Sequence, residues 1–174
     1  MWKKMINPDQ LKLLIPKASI WANEQEEKIL KTGVSLSEVQ INDARSINVK
    51  YPEKIRLLWV SQIPLPEDHE LKFAAQAIQL ITSNTIGLTL RYGIFIRNDF
   101  WNNRRLLIHE FMHTVQYERL GGVQQFLNQY LSDCIQYGYS NAPLELEAKN
   151  IANIVKKWIL TKNVIFRKKE FGDI

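Results

Sequence analysis

The chain has 174 residues, 45% of them apolar and 24% charged, with a formal net charge of +5 and a single cysteine. That is enough for one domain, spanning 1–174, with a substantial core, and it excludes a disordered polar chain and an internal disulfide framework. No apolar run approaches the roughly 18 residues needed to span a bilayer, which excludes a membrane-spanning helix.

Met1-Trp2-Lys3-Lys4-Met5-Ile6 begins in the manner of a secretory leader. Asn7, Pro8, Asp9, Gln10 and Lys12 interrupt it before an apolar stretch forms, and the lone Cys134 agrees with a cytoplasmic location. Asn7-Pro8-Asp9 reads as a helix start whose apolar positions run to Ile15 and stop at Pro16. A second helix is expected over about 17–32, stopped by Gly33, and a third from a Ser35 or Ser37 cap to about Ile47. Ile55 to Val60 reads as a strand, closed by Pro64 and Pro66. Glu67 to Leu80 reads as a helix with His69 at its exposed acidic start. Thr85 to Arg97 is β-rich, with Arg91-Tyr92-Gly93 marking a hairpin or bulge. Asn98-Asp99 offers cap chemistry for a helix over about 101–120, ended by Gly121-Gly122. A further amphipathic helix is expected over 123–137, and a last one from Pro143 to about Leu160. Six Lys/Arg (156, 157, 162, 167, 168 and 169) against Glu170 and Asp173 put +4 of the charge at the C-terminal end. A solvated basic tail over about 162–174 is the reading, with no specific nucleic-acid partner, since no basic and aromatic residues interleave there in an RNA-binding pattern.

The chemistry is concentrated in His109-Glu110-Phe111-Met112-His113. On a helix, residues four apart lie on one face, so His109 and His113 aim two imidazoles at one point, and Glu110, about 100° away, flanks it. Leu106, Leu107 and Ile108 before the motif and Thr114 and Val115 after it mark the helix as largely buried, and buried polar groups demand partners. Two neutral nitrogen ligands and an adjacent carboxylate base suit a zinc ion. A zinc hydrolase needs a third ligand. No His follows His113, and Gln116 and Arg119 exclude the extended three-His pattern. The downstream carboxylates remain: Glu118 and Asp133 within helices, and Glu145 and Glu147 at the start of the last one, where the helix dipole also favours acids.

His109-Glu110-x-x-His113 followed by Glu145-x-Glu147-Ala148 resembles the Glu-ligand zincins (gluzincins), especially their small bacterial members. The resemblance covers roughly 106–149. It implies a zincin-like α+β fold, with a small mixed or antiparallel sheet packed beside the motif helix and further helices around it. It implies zinc held by His109, His113 and Glu145, with Glu147 the fallback third ligand, and a metallopeptidase in which Glu110 is the general base toward a zinc-activated water. Tyr139 is the favoured further oxyanion donor, beside Tyr137 and Tyr117. The expected partner is a peptide or protein substrate, added as a strand along the 85–97 segment, with Gly87 or Gly93 permitting close approach. Lys149 departs from the resemblance, because several of these families carry Asp or Asn there to support a zinc histidine. The competing reading is a non-catalytic, zinc-stabilised binding or regulatory module.

Overall fold

The computed structural model describes residues 8–155; the basic end from 156 onward lies outside the described residues. It is an α+β arrangement of helices α1 (Pro8–Thr32), α2 (Glu38–Ser46), α3 (His69–Ala77), α4 (Arg104–Leu120), α5 (Val123–Tyr137) and α6 (143–155), with strands β1 (Val34–Ser35), β2 (Arg56–Val60), β3 (Gly87–Leu90) and β4 (Gly93–Arg97). The sheet order is β1-β2-β4-β3, with β2 and β4 parallel and the other pairs antiparallel.

β4 is the central strand, and its apolar residues are buried on both faces. Alternation along a strand sends Ile94 and Ile96 one way and Phe95 the other. Ile94 and Ile96 pack with Leu57, α2, Leu107 and Phe111 of α4, and Ala148 and Ala152 of α6. Phe95 and Leu90 pack with Ile15 and Ile29 of α1, Ala75 of α3, and Phe126 and Leu131 of α5. The register pairs Thr89 with Ile94 and Gly87 with Ile96. Thr89 and Gly87 therefore share the face that meets α4, on the edge strand of the sheet.

Several boundaries differ from the sequence reading. Pro16 does not end a helix: α1 is continuous through it. Pro16 and Lys12, whose carbonyl loses its partner, are both exposed, so water takes the place of the missing N–H while Leu11, Ile15, Ala22 and Ile29 hold the buried stripe together. α2 starts at Ser37, whose capping box uses Gln40. β1 was not anticipated; two residues carry too little alternation to register. α4 begins three residues later than expected because Asn103 is its N-cap, accepting from Leu106 N–H at 3.0 Å, whereas Asn98 and Asp99 form a 3-10 turn in which Asp99 pairs with Arg97. Gly121, at φ +98°, closes α4 as predicted.

The β3–β4 hairpin turns through Arg91, which holds φ +59° without being glycine. Its guanidinium grips the Glu26 carboxylate of α1 at 2.7–3.0 Å, and Tyr92 N–H donates to the same carboxylate at 3.1 Å. Glu26 is buried, so this pair clamps the first helix to the hairpin that carries Thr89. Glu26→Ala leaves the guanidinium and the Tyr92 amide without their acceptor, and chemical denaturation should show a loss of about 2 kcal/mol.

Candidate metal centre

Three elements converge on one point. α4 supplies His109 and His113, one turn apart, their rings edge-to-face and their Nε2 atoms 3.2 Å from each other. α6 supplies Glu145. Residues 145, 148 and 152 lie on one helix face, and the small, fully buried Ala148 and Ala152 let that face seat closely in the core, carrying Glu145 in with it. Glu145 Oε1 is 3.2 Å from His113 Nε2, and Oε2 is 3.6 Å from His109 Nε2. Among the described residues these three form the group of ligand atoms lying within 4.8 Å of one another.

α5 contributes a residue the sequence did not flag. Tyr130 donates from its hydroxyl to Glu145 Oε1 at 2.6 Å and is itself buried. Oε2 has no hydrogen-bond partner at all, the one such buried side-chain atom among the described residues. A buried carboxylate oxygen without a donor is costly unless a cation meets it. Donors about 2.0–2.1 Å from a tetrahedral ion stand about 3.3 Å apart, close to the spacings observed. Two imidazoles and a carboxylate are also a donor set that zinc accepts. The residues present fit the metal.

Glu110 occupies the neighbouring position. Thr89 Oγ1 donates to Glu110 Oε2 at 2.7 Å, and Gly87 makes room for the carboxylate: a Cβ at residue 87 would collide with Glu110 Oε1. Burial pushes Glu110 up to about 7, opposed by the charge of His113 and the Thr89 hydrogen bond. Burial, then the charge of His113, hold His109 down to about 4, so its ring stays neutral and keeps one nitrogen lone pair. For Glu145, burial acts upward, but the hydrogen bond and charge of His113 outweigh it and hold the carboxyl at about 2. The site is thus an anion beside the neutral His109 imidazole and a His113 whose pKa burial lowers but the Glu145 hydrogen bond and charge hold raised.

The remaining sequence candidates separate cleanly. Glu147 is engaged by Arg119 at 2.8 Å through both oxygens and by Gln116 Nε2 at 2.9 Å. Glu118 faces away, accepting from Lys50 N–H and the Tyr92 hydroxyl. Asp133 accepts from Gln129 on its own helix. Tyr117 is a core residue stacked on Phe126, its hydroxyl directed to the Thr89 carbonyl, and Tyr137 is exposed. Tyr139 lines the same open cleft as His109, Glu110 and Glu145. His69 is exposed, as expected. Gly93 is not at a substrate edge: it lies on the central strand, packed on Ile29 of α1. Lys149 Nζ donates to the Ser140 carbonyl at 3.0 Å and stands 3.9 Å from Glu145 Oε2.

The cleft has a volume of about 570 Å³, walled by Thr82, Asn84 and Thr85 on one side and Arg105 and Lys149 on the other. An apolar cavity of about 100 Å³ lies behind it between α1, α3 and α5. No helix among the described residues is long and apolar enough to cross a membrane. No known protein family, curated protein or solved structure matches the chain.

Elemental analysis of the purified protein should find about one zinc per chain. His113→Ala and Glu145→Ala should lose it, while Asp133→Asn and Glu147→Gln should retain it. Zinc persisting in Glu145→Ala would move the third ligand elsewhere.

Proposed function

We propose that the chain is a zinc-dependent metallopeptidase of the Glu-zincin type, with His109, His113 and Glu145 as metal ligands and Glu110 as general base. The observation that carries this reading is the unpartnered Glu145 Oε2 beside His109, on a carboxylate whose other oxygen meets His113, with Glu110 buried one helical position away and the group open to a cleft. A purely structural zinc requires no base beside it, whereas Glu110 is held by a hydroxyl and a glycine notch on the edge strand.

Bound there, zinc supplies a Lewis acid and lowers the pKa of a coordinated water. Glu110 takes the proton of the attacking water and passes it to the departing amine; a carboxylate tuned toward neutrality serves both steps. Thr89 keeps the Glu110 carboxylate from rotating away. Tyr139 is the one of the expected tyrosines that lines this cleft, and it is the proposed donor to the developing oxyanion. The substrate is an extended peptide. The Arg97 N–H bond to the Ile86 carbonyl fixes the antiparallel alternation, which turns the Gly87 backbone toward the free edge at the cleft. The corresponding Thr89 carbonyl is already taken by Tyr117, so strand addition is centred on Gly87.

With a mixture of unstructured peptides as substrate, Glu110→Gln should keep its zinc and lose about 10²–10⁴-fold in rate. Equal rates in wild type and Glu110→Gln would instead favour a zinc-stabilised module without catalysis.

Gly87→Ala tests the same assignment from the strand side. It should also keep zinc, and displacing the carboxylate should cost about 10²-fold in rate. Wild-type turnover in Gly87→Ala would mean that Glu110 is not the base.

A further inference from the structure

We propose that Gln116, backed by Glu147, is a positioning residue that fixes the tautomer of His113 and so presents its Nε2 to the metal. The inference rests on the zinc-centre reading and goes beyond it, since neither residue is a ligand.

The Gln116 side chain is fully buried and meets three partners: His113 Nδ1 at 2.8 Å, the Leu144 carbonyl at 2.9 Å and Glu147 Oε2 at 2.9 Å. A glutamine amide has one oxygen that accepts and one NH₂ with two protons to donate. The Leu144 carbonyl and the Glu147 carboxylate, paired through both oxygens with Arg119, can only accept. Together they consume both NH₂ protons. The oxygen is left for His113 and can only accept, so Nδ1 must carry a proton. A neutral His113 then has its lone pair on Nε2, the atom that faces His109 and Glu145. Flipping the amide would set its oxygen against two acceptors and forfeit both bonds.

The placement follows from the fold. Gln116 is three residues beyond His113 on the same face of α4, and that face meets the first turn of α6, from which Leu144 and Glu147 reach back. One helix turn therefore delivers both the ligand Glu145 and the groups that orient a second ligand. Lys149 is turned to the Ser140 carbonyl, so support for His113 comes from Gln116 on its own helix.

The test uses full-length protein and zinc alone. Zinc affinity is measured by competition with a chromophoric chelator for wild type, Gln116→Met, Gln116→Glu and the double variant Gln116→Glu/Glu147→Gln. Zinc-loaded wild type is labelled with ¹⁵N-histidine; the chain holds three histidines, and His69 is exposed, which simplifies assignment. Gln116→Met should weaken zinc binding about 10–100-fold. Gln116→Glu should bind at least as weakly, since it faces the Glu147 carboxylate. The double variant should recover much of the loss, because residue 147 can then donate. In the spectrum, His113 should carry its proton on Nδ1 and zinc on Nε2. Unchanged affinity in Gln116→Met, a double variant no better than Gln116→Glu, or zinc on His113 Nδ1 would each overturn the proposal. Were the variants not to fold, the wild-type spectrum decides alone. Tight zinc binding with an indifferent Gln116 refutes this inference only; wild type that binds no zinc refutes the metal centre as well.

Discussion

A carboxylate oxygen is buried at Glu145 Oε2 with nothing to donate to it, and two imidazole nitrogens stand beside it, 3.6 Å and 3.2 Å from the nearer oxygens of the same group. The other buried carboxylates among the described residues each have a hydrogen-bond partner: Glu26 has Arg91, Asp43 has Arg104, Glu110 has Thr89 and Asp133 has Gln129. Glu145 Oε1 has the Tyr130 hydroxyl and His113 Nε2, whereas Oε2 has no hydrogen bond, with Lys149 Nζ at 3.9 Å. Desolvating an anion without full compensation costs several kcal/mol, and a divalent cation at this point, as proposed, would offset that cost.

Holding that arrangement needs elements far apart in the chain. The sheet fixes Thr89 and Gly87 against Glu110, and the hairpin bearing them is tied to α1 by Glu26. The front of α4 is tied to α2, where Arg104 pairs with Asp43 at 2.6–2.7 Å. α5 brings Tyr130 beneath Glu145, and α6 brings Glu145 in on a face made smooth by alanines. The same α4 face carries His109, His113 and Gln116, so the two proposed ligands and their proposed support recur at helical spacing. Stability and the proposed chemistry are therefore coupled: loosening the hairpin or the seat of α6 would move Glu110 or Glu145.

His109, Glu110 and His113 were legible because a helix's own periodicity places them, without any long-range contact. The order of helices and strands was legible for the same local reason, as with Gly121 closing α4 and Ser37 opening α2. Glu145 could be separated from Glu147 only by resemblance, since the two differ by rotation about α6, which the positions of Ala148 and Ala152 decide. Tyr130, Thr89 and Gln116 were not legible. Each sits in a stretch whose pattern reads as ordinary packing or strand, and each acquires its role from a partner 15 to 31 residues away. Pro16 misled because the rule that proline stops a helix assumes that the lost bond is needed; on an exposed face, water replaces it.

The central claim is that one ion sits between α4 and α6, and the most direct test is diffraction from zinc-loaded crystals with anomalous data on both sides of the zinc edge. The account predicts a single zinc peak bonded to His109 Nε2, His113 Nε2 and Glu145 Oε2, with nitrogen distances of about 2.0–2.1 Å and one position open to the cleft. A peak absent from this point, or a fourth protein side chain closing that position, would contradict it.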